Sequence, residues 1–363
     1  MRKIIKILSL FFFILWLLSW LSIYVVSHFY WPLGFLSLFY PVFILLSFVF
    51  LLLWIFYEWR IIFLLILQLG LSIDFFQSVG FRAFFASQKN VFSNKQFKIL
   101  THNVDLFEFY KKGRFDIKPW ISTYKRFDPT FLFLQECYLP DTNFLFVRTH
   151  LLEPLGLPHF VFVSYARVFP KGYIGLFTAS KYPIVFHEKI RNITYSGKKI
   201  IGLRTDIVLP QADTISFINL HLQSYQFTEQ ERNVLDVHAY DRKSMWNMSI
   251  DFLSKFRSNA ISRSEQVEYL LNYISAIKHP VFLVGDFNEL PWSYVYRRMT
   301  LTFEDAFVQK GSFTKFKTLN FVVPLRVDYV FYPVNKGWKV ISYDVSSIRL
   351  NDHLPVVCTF VKE

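Results

Sequence analysis

Six short segments of this chain carry side chains able to bind a cation or move a proton. Asn103 closes Lys98-Ile-Leu-Thr-His-Asn103, with Asp105 just beyond, and Glu136 closes Phe131-Leu-Phe-Leu-Gln-Glu136. His221 closes Ile218-Asn-Leu-His221, and Asp286 and Asn288 stand in Val284-Gly-Asp-Phe-Asn288. Asp328 lies in Arg326-Val-Asp328, and Asp352 precedes His353 in Asn351-Asp-His353. Carboxylate and amide oxygens suit hard cations such as Mg2+, Mn2+ or Ca2+. No thiol pair and no histidine cluster stands at zinc spacing. Taken singly, each residue reads as a turn, a cap or a satisfied structural histidine. Their order and number argue instead for one shared cleft.

Such a cleft requires strands, whose ends gather along one edge of a sheet. Short apolar runs rich in Val, Ile and Phe alternate with turn residues after position 87. The expected strands are Phe97–Thr101, Thr130–Gln135, Ile174–Thr178, Ile215–Leu220, Pro280–Val284, Val327–Phe331 and Pro355–Val361. Ser262 and Glu265 form a capping box that predicts a helix start. Val267, Leu270, Leu271, Ile274 and Ile277 then make one apolar stripe. Tyr225–Asn259 reads as a long insertion, either a surface excursion or a flap over substrate. Residues 87–363 therefore read as one α/β domain.

Residues 1–86 are of another kind. Ile7–Val26 is uncharged over the length a helix needs to cross about 30 Å of hydrocarbon. It is too long for a signal peptide and lacks a small-x-small cleavage site. Leu33–Tyr57 is a second uncharged run, flanked by Trp31, Trp54, Tyr57 and Trp59 as headgroup anchors would be. Ile61–Phe76 is a shorter candidate, a third span or an interfacial helix. Arg2, Lys3 and Lys6 hold the first end in the cytoplasm, so three crossings export the remainder to the outer, periplasmic side and two leave it cytoplasmic. Three crossings are expected.

Charged residues make up 18% of the chain, against about 25% in ordinary globular proteins, which with 44 Phe excludes disorder. Two cysteines, Cys137 and Cys358, exclude a disulfide scaffold and leave one bridge open. The net charge of +13 divides into +3 over residues 1–86 and +10 beyond, which suits a polyanionic partner, nucleic acid or an anionic lipid surface.

With these motifs in this order, residues 88–363 resemble the endonuclease/exonuclease/phosphatase superfamily related to DNase I. Gly285-Asp-Phe-Asn288, Arg326-Val-Asp328 and Asn351-Asp-His353 carry most of the resemblance. The anchored layout, with Pro291-x-Ser-Tyr-x-Tyr-Arg297 after the Gly-Asp-Phe-Asn motif, looks like a membrane-anchored bacterial branch. The resemblance implies a four-layer α/β sandwich of two sheets with helices outside, preceded by transmembrane helices. It implies a divalent-metal phosphoesterase, with Mg2+ the first choice, that drives water in line onto a phosphodiester or phosphomonoester.

Glu136, Asn103 and Asp352 would then hold metal, with Asp105 a weaker candidate. Asp286 would orient or deprotonate water, Asn288 hold a phosphate oxygen, and His353 stabilise charge or act as acid. Because neighbours on an extended strand face opposite ways, Asp328 rather than Asp352 is expected to orient His353. His221 would be a second imidazole, although no carboxylate in Gly172–Ser180 clearly supports it. His221-Leu-Gln-Ser224 replaces the Tyr-x-Pro-Asn-like motif of abasic-site endonucleases, which argues against base-excision repair. Expected partners are the bilayer and a phosphate ester, either a lipid headgroup or nucleic acid, and nothing points to a protein partner. The alternatives are a non-specific tethered nuclease and a non-catalytic receptor or scaffold on the same fold.

Overall fold

In the computed structural model of the chain, residues 1–81, 96–108, 116–140, 144–167, 172–195, 197–210, 213–224, 242–319 and 325–362 are described. Apolar runs bounded by turns build two six-stranded sheets. The first comprises β1 (Gln96–Asn103), β2 (Phe131–Leu139), β3 (His159–Arg167), β4 (Tyr173–Ser180), β11 (Trp338–Val345) and β12 (Val356–Lys362), in the order β11-β12-β1-β2-β4-β3. The second comprises β5 (Ile184–Thr194), β6 (Gly197–Val208), β7 (Thr214–His221), β8 (Val281–Asp286), β9 (Phe303–Asp305) and β10 (Asp328–Pro333), in the order β5-β6-β7-β8-β10-β9. Among the described strands, only β1 with β2 and β7 with β8 run parallel; all other pairs are antiparallel.

All seven expected strands are present. Five more were not legible, and they include all four sheet edges, β3, β5, β9 and β11. An edge strand buries less of itself, so its residues need not form an apolar run. Along β5, Val185, Phe186, His187, Glu188 and Lys189 are all exposed.

Between the sheets, Phe97, Phe131, Phe217, Phe282 and Phe360 stack edge-on and face-on around Trp338. The outer face of the first sheet is covered by the Lys118–Phe127 helix through Trp120, Ile121 and Tyr124. The outer face of the second is covered by the Arg242–Ser275 helix through Val267, Leu270 and Ile274. That helix corrects the expected start at Ser262. It begins twenty residues earlier, Ser262 is buried in its interior, and Glu265 Oε2 accepts from the Tyr195 amide at 2.7 Å instead of closing a cap. The second half of the expected insertion is therefore helix, and residues 225–241 lie outside the described residues. Cys137 and Cys358 are buried and unbridged.

The first 81 residues form α1 (Arg2–Leu21), α2 (Ser27–Ser37), α3 (Tyr40–Ile55), α4 (Ile62–Leu71) and α5 (Ile73–Ser78). With the turn that continues it to Tyr24, α1 is long and apolar enough to cross a membrane. The expected 33–57 span is broken: α2 and α3 meet at 58° and together count as at most one further span. Pro41 stands in the first turn of α3, where its missing N–H costs nothing, so a new helix starts there. The stretch from Ser27, between the two expected spans, is already helix α2, and the expected 61–76 segment is interrupted at Ser72. Trp59–Leu71 is too short to cross.

Polar side chains tie these helices into an antiparallel set. Ser9 Oγ donates to the Phe50 carbonyl at 2.8 Å. Gln68 accepts from Ser47 Oγ at 3.0 Å and donates to the Ile44 carbonyl at 2.9 Å. The expected domain boundary at residue 86 lies outside the described residues. The apolar contacts nevertheless continue from α1 and α3 through Phe75 and Trp292 into the sandwich.

Candidate active site

Register alone brings most of the candidate residues together. Parallel β1 and β2 pair Asn103 with Gln135, which sets Glu136 one step past Asn103. The β2–β4 pairing is irregular between Leu134 and Cys137, and Glu136 has φ +48°. A bulge of this kind re-aims a side chain at some conformational cost, typical of a working site. In the second sheet His221 pairs with Asp286 and Asp286 with Asp328, so three polar residues lie side by side on β7, β8 and β10.

The two sheets meet at Asn103. Its Nδ2 donates to Glu136 Oε1 at 3.1 Å and to Asp286 Oδ2 at 3.0 Å. His221 Nε2 lies 3.4 Å from Glu136 Oε1 and 3.9 Å from Asp286 Oδ2, without a hydrogen-bonding partner among the described residues. His353 Nε2 is 3.8 Å from the same Asp286 oxygen. On its other side, His353 Nδ1 donates to Asp328 at 3.0 and 3.3 Å. Burial works against charge on this ring, but Asp328, and then Asp286 and Asp352, outweigh it and push the His353 pKa up. Burial also raises the Asp328 carboxyl, against the pull of the imidazolium. Asp286 Oδ1 accepts the Asn288 amide at 2.8 Å, and Asn288 Nδ2 donates to the Leu222 carbonyl at 3.2 Å.

Gly285, between β8 and this turn, has φ +134°, and a Cβ there would lie 2.2 Å from the Leu220 carbonyl oxygen. Both terms demand glycine. Gly285→Ala is expected to destabilise the fold by about 2 kcal/mol or more. A thermal midpoint within one degree of the parent would contradict this.

Among the described residues, Asp286, Asp328 and His353 offer ligand atoms within 4.8 Å of one another. Because Asp328 already engages His353, the more open donor set is Glu136 with Asn103 and Asp286. Its oxygen chemistry fits a hard divalent cation, and Glu136 is the least buried member, at 25%. Asp105 donates its amide to Asn103 Oδ1 at 3.1 Å and so shapes the turn that holds that side chain. Asp105 and Asp352 stand outside the Asp286–Asp328–His353 group.

Several supporting residues were not anticipated. His221 Nδ1 meets the Tyr165 hydroxyl of β3 at 3.4 Å, a phenol rather than a carboxylate. Asn219 Nδ2 donates across the sheets to the Leu134 and Phe177 carbonyls, and its Oδ1 accepts from Gln135 Nε2 at 2.7 Å. His102 is fully buried, and burial lowers its pKa to about 3. The neutral ring accepts from Tyr124 OH at Nδ1, 2.8 Å, and donates from Nε2 to Asn351 Oδ1 and the His353 carbonyl, both 3.1 Å. Asn351 Nδ2 in turn donates to the Asn103 carbonyl at 2.9 Å. The only sequence signal was His102 next to Asn103 at the end of an expected strand.

The chain has the fold of an endonuclease/exonuclease/phosphatase from Beutenbergia cavernae, at a TM-score of 0.56 and 16% identity over 74% of this chain and 72% of that one. It is likewise similar to the human Nocturnin catalytic domain, at a TM-score of 0.51 and 18% identity over 74% of this chain and 94% of that one. No curated protein matches the chain. Residues 2–79 match a family described as a domain of unknown function (DUF8431). Residues 100–346 match the endonuclease/exonuclease/phosphatase family, spanning five of the six motif segments and both sheets, and the chain belongs to that family.

Proposed function

We propose that the chain is a divalent-metal phosphoesterase tethered to a membrane, acting on a lipid headgroup phosphoester. Hydrolysis of phosphoesters is the activity of the family. One observation carries the catalytic reading. Asn103, His221 and His353 all approach Asp286 Oδ2, at 3.0, 3.9 and 3.8 Å, with Glu136 joined through Asn103 and His221.

Each residue then has a distinct task. Asp286, with Oδ1 fixed by the Asn288 amide, accepts the proton of the attacking water through Oδ2. His353, kept protonated by Asp328, stabilises negative charge on the phosphoryl oxygens through Nε2–H. His221 presents Nε2 toward the same space. Glu136, with Asn103, would hold a cation such as Mg2+ beside Asp286. When bound, the cation supplies positive charge that screens the phosphoryl and leaving oxygens. Retention of Asp286, Asn288, Asp328 and His353 together speaks against a non-catalytic scaffold.

The packing of α1 supports an outward-facing catalytic domain. The Tyr24 ring, at the far end of α1, lies 5.7 Å from the Arg297 guanidinium of the sandwich. The opposite end carries Arg2, Lys3 and Lys6, with Lys6 Nζ 5.9 Å from the Trp54 ring near the end of α3. Basic ends stay in the cytoplasm. If α1 is the one span, the sandwich sits on the other side.

Glu136→Gln tests the metal assignment. In assays of the full chain on bis-p-nitrophenyl phosphate, it is expected to raise the Mg2+ concentration for half-maximal rate at least about tenfold. An unchanged titration would remove Glu136 from the site. Comparing lipid vesicles with plasmid DNA under the same conditions decides the substrate. Preferential cleavage of DNA would favour a nuclease, which the +10 charge beyond residue 86 would also suit.

A further inference from the structure

A cavity of about 270 Å3 lies where the apolar helices meet the sandwich, apart from the carboxylate cluster. Trp20, Tyr40 and Asp74 line it from the helices, and Trp292, Arg297 and Glu304 from the sandwich, among others. The Pro291-x-Ser-Tyr-x-Tyr-Arg297 stretch, which phosphoester chemistry leaves unexplained, builds this wall. Ser293 caps the Tyr294–Thr300 helix by accepting the Tyr296 amide at 3.2 Å. Tyr296 OH is committed to Asp305 Oδ2 at 2.8 Å. Arg297 is therefore the cation this helix presents to the cavity. Its Nη1 stands 3.8 Å from Asp74 Oδ2, beyond hydrogen-bond length. The two side chains are 35% and 70% exposed, so they mark an open mouth.

We propose that this cavity binds the headgroup of a zwitterionic phospholipid with a primary ammonium. The phosphate pairs with Arg297, and the ammonium pairs with Asp74 and Glu304 beside the tryptophan faces. This inference rests on the membrane reading given above. Three observations converge on it. The cavity sits at the end of α1, where a spanning helix leaves hydrocarbon and enters the headgroup layer. Trp20, Tyr24, Tyr40 and Trp292 cluster there, as aromatic residues do at that depth. The wall carries one guanidinium beside carboxylates, which complements a zwitterion better than an anion. The volume falls just under the roughly 300–1,000 Å3 of drug-sized pockets, enough for a headgroup but not for acyl chains.

The test uses the full chain in mild detergent, incubated with equal amounts of phosphatidylethanolamine, phosphatidylglycerol and phosphatidylcholine and examined by native mass spectrometry. One retained phosphatidylethanolamine, favoured at least about tenfold over either other lipid, is expected. Arg297→Gln and Asp74→Asn should each lower that retention about tenfold with unchanged thermal midpoints, since both side chains are partly exposed. Equal retention of the three lipids, or indifference to both substitutions, overturns the proposal. Water-soluble glycerophosphoethanolamine competing at the same concentration as the lipid would also overturn it, by showing a free metabolite to be the ligand. Alkaline washing of cell membranes separates the two readings. Release of the chain defeats the anchor, whereas a retained chain with unselective lipid binding defeats only the cavity.

Discussion

Asp286→Asn is expected to lower kcat about 10³-fold, close to 4 kcal/mol of transition-state stabilisation, while the protein remains folded. The asparagine Oδ1 can still accept the Asn288 amide, which now stands 2.8 Å from the carboxylate. Its Nδ2 would then face Asn103 Nδ2, donor against donor, where Asp286 Oδ2 now accepts at 3.0 Å. The variant keeps the shape of the side chain and loses both the base and a bond between the sheets. His353→Ala should cost a similar factor, because it removes the imidazolium 3.8 Å from the same oxygen. Asp328→Asn should fall between these and the parent: an amide oxygen can still orient Nδ1–H but contributes no charge. Circular dichroism and single-turnover rates check all three. Activity above about a tenth of the parent in both Asp286→Asn and His353→Ala would sink the mechanism.

Arg326→Leu should be the most destabilising single change. The guanidinium is fully buried, donates to Asp305 Oδ2 at 2.7 Å, and lies 4.3 Å from the Phe307 ring and 4.6 Å from the Tyr329 ring. It also donates to the Ser78 carbonyl at 3.2 Å, which ties α5 to the sandwich. Removing it leaves a buried carboxylate without its counter-ion, a loss of about 3–5 kcal/mol. The thermal midpoint in detergent, at a fixed scan rate, should fall by roughly 10 °C. Adding Asp305→Asn should restore part of the loss, because the damage lies in the unpaired charge. A drop under about 2 °C in Arg326→Leu would show that the pair contributes little.

This pair also illustrates what could be read in the chain and what could not. Arg326-Val-Asp328 was legible as a motif, and Asp328 was expected beneath His353 because alternation along a strand turns Asp352 away. Nothing in the motif announced that Arg326 would reach Asp305 and Ser78, since both partners are set by how the sheet packs on helices far away in sequence. The same holds at the site. Asn103 and Glu136 were visible as the ends of apolar runs, but the bond from Asn103 to Asp286 joins residues 183 positions apart. His102 and Asn219 escaped notice because their partners, Tyr124, Asn351 and Gln135 and the carbonyls of Leu134, Phe177 and His353, come from segments distant in sequence.

Among the helices, composition marked Ile7–Val26 and Leu33–Tyr57 as uncharged runs but could not locate the 58° bend between α2 and α3. Nor could a local capping pattern at Ser262 show that the Arg242–Ser275 helix runs through it without a break, its earlier part packed on Phe35 of α2 through Phe252 and Phe256. Local sequence determined the central strands and the kinds of residue at their tips, since a strand buried on both faces must be apolar until it reaches the edge of the sheet. It also marked the apolar run that α1 takes up, although the helix starts at Arg2 rather than Ile7. Only the tertiary structure decided which tips meet, which edge strands complete the sheets, and which end of α1 touches the sandwich. Those choices depend on register and packing between distant segments, and their energies arise only once the chain has closed on itself.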